Sequence, residues 1–405
     1  MTRSTLSNKQ VWGAVLSMSL CAFALVASEF LPVSLLTPIA HELSLSEGQA
    51  GQAISVSGFF AVLTSLSVST LTQRFDRKKV ILTLTALMVA SGVLVSVAPN
   101  YTVLMLGRAL LGVSIGGCWS MSTAVMMRIA PDAFVPRAIA VVQGGSALAT
   151  AVAAPAGSFL GSIIGWRGAF FCVVPLAAIA LIWQALTLPK LPVERQAQTG
   201  RGILRIVGDR QVLCGVGAVA LLFMGQFSLF TYLRPFLETV TKVNVSILSL
   251  ILLLIGAAGL GGTVFVGSII KRNLHGVLIM IPLLMSGIAV ALMLFGGSVT
   301  TTAALLAAWG LIATSAPVGW FTWLSETLPG DAEAGGGLMV AVIQLAITLG
   351  ATLGGLLFDG SGYRATFSLS AGLLIAGAVL AAVASRVRRE NVGRTASPVA
   401  EQALS

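Results

Sequence analysis

The sequence predicts an all-α integral membrane protein, with twelve transmembrane helices in two pseudo-symmetric six-helix halves. Three observations predict it. Of 405 residues, 56% are hydrophobic and 9% charged, with a mean hydropathy of +0.96. Soluble domains carry about 25% charged residues, so a soluble fold has too little polar surface here. The apolar residues fall in runs of about 20, the length that crosses hydrocarbon as helix. Lys and Arg concentrate in every second connection between runs.

Six runs, at about 11–33, 49–70, 79–97, 103–125, 138–158 and 167–187, precede a break. Six more come after it, at about 211–234, 247–268, 275–295, 301–323, 337–357 and 365–385. Cleavable signals have shorter apolar cores followed by a small-residue site. Many similar runs succeed the first, so it reads as a retained span. The N-terminal tail, the connections 2–3, 4–5, 6–7 and 8–9, and the C-terminal tail hold 19 of the 24 Lys and Arg residues. By the positive-inside rule these segments are cytoplasmic. Both termini are then cytoplasmic, which requires an even number of spans.

The break is the loop 188–210, with Pro189, Pro192, Gly200 and Gly202. It separates bundles at 11–187 and 211–385 and leaves tails at 1–10 and 386–405. Each bundle ends on a similar device. "GSIIGWRGAF" and "LFDGSGYRATF" place Gly165, Trp166, Arg167, Phe170 and Gly362, Tyr363, Arg364, Phe367 at equal spacing. Duplicated halves are common in secondary transporters.

Several function classes are excluded. Cationic charge spread over alternate loops suits an anionic lipid surface and not a nucleic acid. The four cysteines form no CxxC pair, and His41 and His275 make no metal cluster. No GxxxxGK[ST] or HExxH motif is present, so pumping draws on an ion gradient or a separate partner. A repeated pore loop of the channel kind is absent.

Charge within the spans marks the candidate site, because neither sign is cheap to bury alone. Helix rise puts Glu29 about 7 Å below the outer end of span 1, and Arg108 about 8 Å below the same surface in span 4. Three readings stand: a protonatable carboxylate tuned by arginine, direct binding of a polar substrate, or a static pair. Arg234 reads as snorkelling to the outer surface, with Pro235 ending its helix and Tyr232 near the aromatic belt. Gln226 lies about 12 Å deeper than Arg234, where an amide needs a partner. Trp119, Gln143, Gln226, Trp320, Trp323 and Gln344 are candidate substrate contacts, offering flat faces and amides. Trp320 and Trp323 equally suit an interface belt. Most of the 44 glycines read as helix-packing residues.

"LGRALLGVSIGG" and "AAPAGSFLG" resemble the helix 4 and helix 5 motifs of the major facilitator superfamily, in its twelve-span drug:proton antiporter branch. The resemblance implies proton transfer at Arg108 and an antiporter motif at Pro155 and Gly157. "STLTQRFDRK" keeps Arg74, Arg77 and Lys78 of the family's loop 2–3 motif. It places Ser69, Gln73 and Asp76 where glycine, aspartate and glycine are usual. "EFLPVSLLTPIA", "GQFSLFTYLRPF", "PVGWFTWL" and "VAVIQLA" are similar to bacterial purine ribonucleoside exporters. This implies antiport of inosine, guanosine and analogues against protons, from a monomer in the bacterial cytoplasmic membrane. No cofactor is implied; the proton gradient supplies the energy. Sugar or broad drug export, and solute sensing without transport, are the alternatives.

Overall fold

The computed structural model describes residues 8–402 other than 73, 132–133, 192–209 and 329–331. Most of the expected linker 188–210 lies outside these residues, as does Gln73. The elements are α1 (Asn8–Glu42), α2 (Glu47–Leu71), α3 (Arg77–Ser96), α4 (Tyr101–Ile129), α5 (Val135–Thr187) and α6 (Arg210–Phe230). They continue with α7 (Leu233–Thr239), α8 (Val245–Phe295), α9 (Val299–Ala313), α10 (Ser315–Thr327) and α11 (Ala332–Gln402). Among the described residues there is no strand.

Helix starts are set by side-chain chemistry. Ser46 and Gln49 form a reciprocal capping box at α2, and Asp76, Asn100, Asn244 and Ser298 cap α3, α4, α8 and α9. Three long helices are each broken once. The breaks in α5 and α11 fall on Gly165 (φ 73, ψ 166) and Gly362 (φ 75, ψ −176). Only glycine occupies that backbone region at low cost, so the repeated glycine of the sequence is a repeated hinge in the fold. The break in α8 falls on Asn273, whose Oδ1 accepts from the Gly276 amide at 2.9 Å and caps the second half of the helix.

Nine helical stretches are long and apolar enough to cross a membrane among the described residues. The stretches Arg137–Thr187, Val245–Phe295 and Gly335–Val387, of 51, 51 and 53 residues, each contain one of these breaks. Large apolar side chains such as Leu66, Phe159, Ile163, Leu186, Val264, Phe265, Leu294 and Leu356 stay exposed. That much outward apolar surface suits lipid and not water.

The expected end of the seventh span at Pro235 is corrected. The helix stops at Phe230, and Pro235 lies in the first turn of the short α7. A proline there interrupts no internal hydrogen bond.

Helices α1–α5 pack on one another, chiefly α1 on α5 and α2 on α4; α6–α11 do the same, chiefly α6 on α11 and α8 on α9. Small residues permit the approach: Gly145 meets the Ser19 backbone, Gly157 meets Leu31 and Ser34, and Gly161 meets Leu35. The two groups join through α2 with α11 and α5 with α8. Their hydrogen bonds cluster at the end that carries the 43–46 turn. Ser46 Oγ and the Gly48 amide donate to Asp359 at 2.5 and 2.9 Å, Thr352 Oγ1 donates to Ser55 Oγ at 2.9 Å, and Ser249 Oγ donates to Ser158 Oγ at 2.9 Å. These bonds close the groups on one another at that end. Towards the other end Gln143 is exposed, and open space surrounds Gly144, Gly336 and Gly337.

Candidate functional site

Two prolines inside α1 set up the site. A helical proline has no N–H for the carbonyl four residues back. Pro32 therefore leaves the Ser28 carbonyl without its helix donor, and Pro38 does the same to Ser34. In a membrane span such a carbonyl needs a substitute donor. Arg108 Nη1 donates to Ser28 O at 2.7 Å, and Arg234 Nη1 donates to Ser34 O. Each freed carbonyl is served by a buried arginine from another helix.

Arg108 is 1% exposed and uses every side of its guanidinium. Its Nε donates to Ala53 O at 2.7 Å, and its Nη2 donates to Ser57 Oγ at 3.0 Å and to the Glu29 backbone carbonyl at 3.3 Å. It thereby fastens α4 to α1 and α2. Glu29 is 8% exposed. Arg108 touches Glu29 at the main chain, while the carboxylate Oε1 accepts from Gln344 Nε2 on α11 at 3.2 Å. This bond crosses between the two helix groups. Gln344 Oε1 is buried without a hydrogen-bond partner.

Arg234 does not snorkel. It is 5% exposed, pairs with Glu238 at 2.8 Å one turn on, and holds α1 at Ser34. Tyr232 is likewise inside the protein and not in a belt. Its hydroxyl donates to Ala351 O at 2.7 Å, its ring stacks on Phe358 at 5.2 Å, and Gly51 of α2 packs against it. The belt alternative for Trp320 and Trp323 fails for the same reason. They are 2% and 1% exposed, form an edge-on pair at 5.4 Å, and Trp323 presses on Gly215. Trp320 Nε1 is buried without a partner, as is Gln226 Oε1. Trp119 lines a small cavity with Met18, Cys21, Leu25, Ser122 and Val142. Gln143 stands exposed on α5, apart from the Glu29 network.

Loop 2–3 is built around Asp76. Its Oδ1 accepts from the Lys78 and Leu191 amides at 2.8 and 3.1 Å. Arg77 Nη1 donates to Thr72 Oγ1 at 2.7 Å and Lys78 Nζ to Ala185 O at 2.8 Å, while Arg74 is exposed. The motif side chains thus secure the turn to the end of α5. Pro155 is buried and, by the same missing N–H, frees the Ala151 carbonyl. Gly256 of α8 sits directly on that backbone, where a methyl group would collide. Gly157 lies on the opposite partner, α1.

Sequence reasoning missed Ser57, Pro32 and Pro38 as parts of the site, and Asp359 and Tyr232 as parts of the closed end. The pairs Ser28-x-x-x-Pro32 and Ser34-x-x-x-Pro38 carry a readable signal, a carbonyl in need of a donor. Asp359 carried none, because its partners are 311 and 313 residues away.

Comparison with known proteins accords with this geometry. Residues 18–335 match the Major Facilitator Superfamily. The transcription regulatory protein OpdE of Pseudomonas aeruginosa is 55% identical over 379 residues, covering 93% of this chain and 94% of that one. The purine ribonucleoside efflux pump NepI of Salmonella paratyphi C is 40% identical over 377 residues, with the same coverage of 93% and 94%. Among solved structures, a bacterial homologue of the human lysosomal transporter Spinster, inward-facing and unoccupied, superposes with a TM-score of 0.71 at 18% identity. The match covers 94% of this chain and 96% of that one. A D-xylose–proton symporter gives 0.72 at 17% identity, over 92% and 96%. Those two likenesses speak for the fold alone. With the all-helical, multi-pass architecture and the match over most of its length, this chain belongs to the Major Facilitator Superfamily and is a secondary active transporter, not an enzyme.

Proposed function

We propose that the chain exports purine ribonucleosides such as inosine and guanosine, with their analogues, in exchange for protons. The observation that carries the reading is Glu29. It is a buried carboxylate at the seam between the helix groups, beside Arg108 and hydrogen-bonded to Gln344 on the far side. A carboxylate at such a seam couples its protonation to whether the groups meet. The relation to NepI over most of the chain supports the substrate class. Aromatic faces support it too: Phe30 stacks on Phe227 at 6.0 Å and meets Phe230 edge-on at 6.5 Å, again across the seam. Purines stack on such faces, and their ring nitrogens and ribose hydroxyls suit the amides of Gln143, Gln226 and Gln344 and the indoles of Trp119, Trp320 and Trp323.

In this reading the three breaks divide the nine long stretches into twelve spans, six at 11–187 and six at 211–385, joined by 188–210. The equal hinges at Gly165 and Gly362 support the duplication. Loop charge puts both termini in the cytoplasm, so the closed end faces outward and the cavity opens inward in a bacterial cytoplasmic membrane. Nucleoside loads from the cytoplasm. The halves rock about Pro155, Gly157 and the loop 2–3 turn of Arg74, Asp76, Arg77 and Lys78. Substrate leaves outside, and Glu29 takes up a proton that it releases inside on return. The unit acts as a monomer, without cofactor, in contact with lipid.

Labelled inosine flux in proteoliposomes under an imposed proton gradient tests this. Glu29→Gln is expected to abolish gradient-driven flux. Unchanged flux in that variant refutes the role of Glu29, and no inosine flux in folded wild type refutes the substrate. A second reading, solute sensing without transport, draws on the name of the OpdE relative. It predicts nucleoside binding without flux in the same vesicles.

A further inference from the structure

Gln344 offers the Glu29 carboxylate one hydrogen bond and keeps one acceptor idle. Its Nε2 lies 3.2 Å from Glu29 Oε1, and its Oε1 is buried with no partner. The amide is not free to turn over while Glu29 is charged, because its oxygen would then face a carboxylate. An orphaned acceptor beside a carboxylate is complementary to one species, the carboxylic acid. A protonated Glu29 accepts from Nε2 and donates its O–H to Oε1, making the two-bond acid–amide pair.

We propose that Gln344 is the positioning residue through which proton uptake at Glu29 closes the outer end. The proton adds a bond that exists only while α1 and α11 are together, so the closed arrangement binds the proton more tightly than the open one. By linkage, protonation favours closure. No covalent bond changes in the protein's framework: one proton moves from water on the outer side to a Glu29 oxygen, and leaves for the cytoplasm while α1 and α11 are still together, which returns the pair to its single Nε2 bond. The charged group facing Glu29 from the helices packed around it is Arg108 on α4, which is engaged with main-chain carbonyls and Ser57. Ser57 on α2 and Gln344 on α11 are neutral, so they do not compete for the proton. The inference rests on the exporter reading for its place in a cycle, and supplies what that reading lacks: a reason for the proton-loaded carrier to return inward.

The test needs no substrate, so its failure and that of nucleoside export are separable. Spin labels at His41→Cys and Ser246→Cys, exposed positions on the two groups at the closed end, report the separation in lipid nanodiscs. Cys172 and Cys214 are replaced by serine, since they are the exposed and half-buried native thiols. In wild type, lowering the pH from about 8 to about 5 across the carboxylate range is expected to raise the closed-to-open ratio about fivefold, the effect of one net hydrogen bond. Gln344→Leu is expected to abolish that response. Glu29→Gln is expected to stay closed at every pH, because two amides also form a two-bond pair. If Gln344→Leu does not fold, Gln344→Asn keeps the amide but draws it out of reach and gives the same readout. A pH response that survives loss of the Gln344 contact, or a wild type that does not respond, overturns the proposal.

Discussion

Replacing Arg108 with methionine tests the claim that a proline created the site. The side chain keeps its apolar stem, and four hydrogen bonds are lost. Ala53 O retains a contact from Ser57 Oγ at 3.3 Å. Ser28 O has no helix donor in reserve, because Pro32 stands where that donor belongs. An orphaned buried carbonyl costs about 1–3 kcal/mol, so Arg108→Met is expected to lose about 2 kcal/mol or more. Pro32→Ala restores the missing N–H. In wild type it gains little, since Ser28 O is already bonded to Arg108. In the Arg108→Met background it is expected to recover about 1 kcal/mol. The assay is equilibrium unfolding of the four proteins in mixed micelles, analysed as a double-mutant cycle. Costs that add within about 0.3 kcal/mol refute the reasoning, for Pro32 and Arg108 would then not share the Ser28 carbonyl.

Two further predictions concern the hinges and the closed end. Gly165→Ala and Gly362→Ala each force a side chain into a glycine-only region and are expected to cost about 1–3 kcal/mol in the same unfolding assay; Gly144→Ala, in open space within α5, is the control and is expected to be neutral or slightly stabilising. Asp359→Asn removes the negative charge that caps the start of α2 from α11. A charge at a helix N-terminus is worth about 0.3–1 kcal/mol, so the closed-to-open ratio read by the His41/Ser246 label pair is expected to fall about twofold to fivefold; an unchanged distance distribution would mean the contact does not hold the gate.

Local features are legible in the sequence. The hinge glycines stood out because Gly165 and Gly362 share a pattern of aromatic, arginine and phenylalanine, and backbone that only glycine adopts must be written locally. Glu29 and Arg108 stood out because charge in an apolar run is costly wherever the partner lies. Their relation was different from the one depth suggested. Equal depth permits an ion pair, yet Pro32 gave Arg108 a stronger claim on main-chain carbonyls, and the carboxylate went to Gln344. The reading of Tyr232 and Arg234 as interface residues, and the belt alternative for Trp320 and Trp323, fail for a related reason. Distance from a span's end sets depth, but it does not say whether a side chain faces lipid or another helix.

The sequence by itself determined that the chain lives in a membrane, that two of its long helices break on a repeated glycine, and that a buried charge demands an account. Those features come from composition, period and backbone sterics, all of which act over a few residues. Only the tertiary structure decided the partners: Gln344 for Glu29, Ser28 and Ala53 for Arg108, Ser34 for Arg234, and Asp359 for the start of α2. Each joins groups 55 to 315 residues apart in the chain. Hydrogen bonds of that kind are chosen by how helices pack, because in hydrocarbon a freed donor or acceptor takes whichever complementary group the fold brings within about 3 Å.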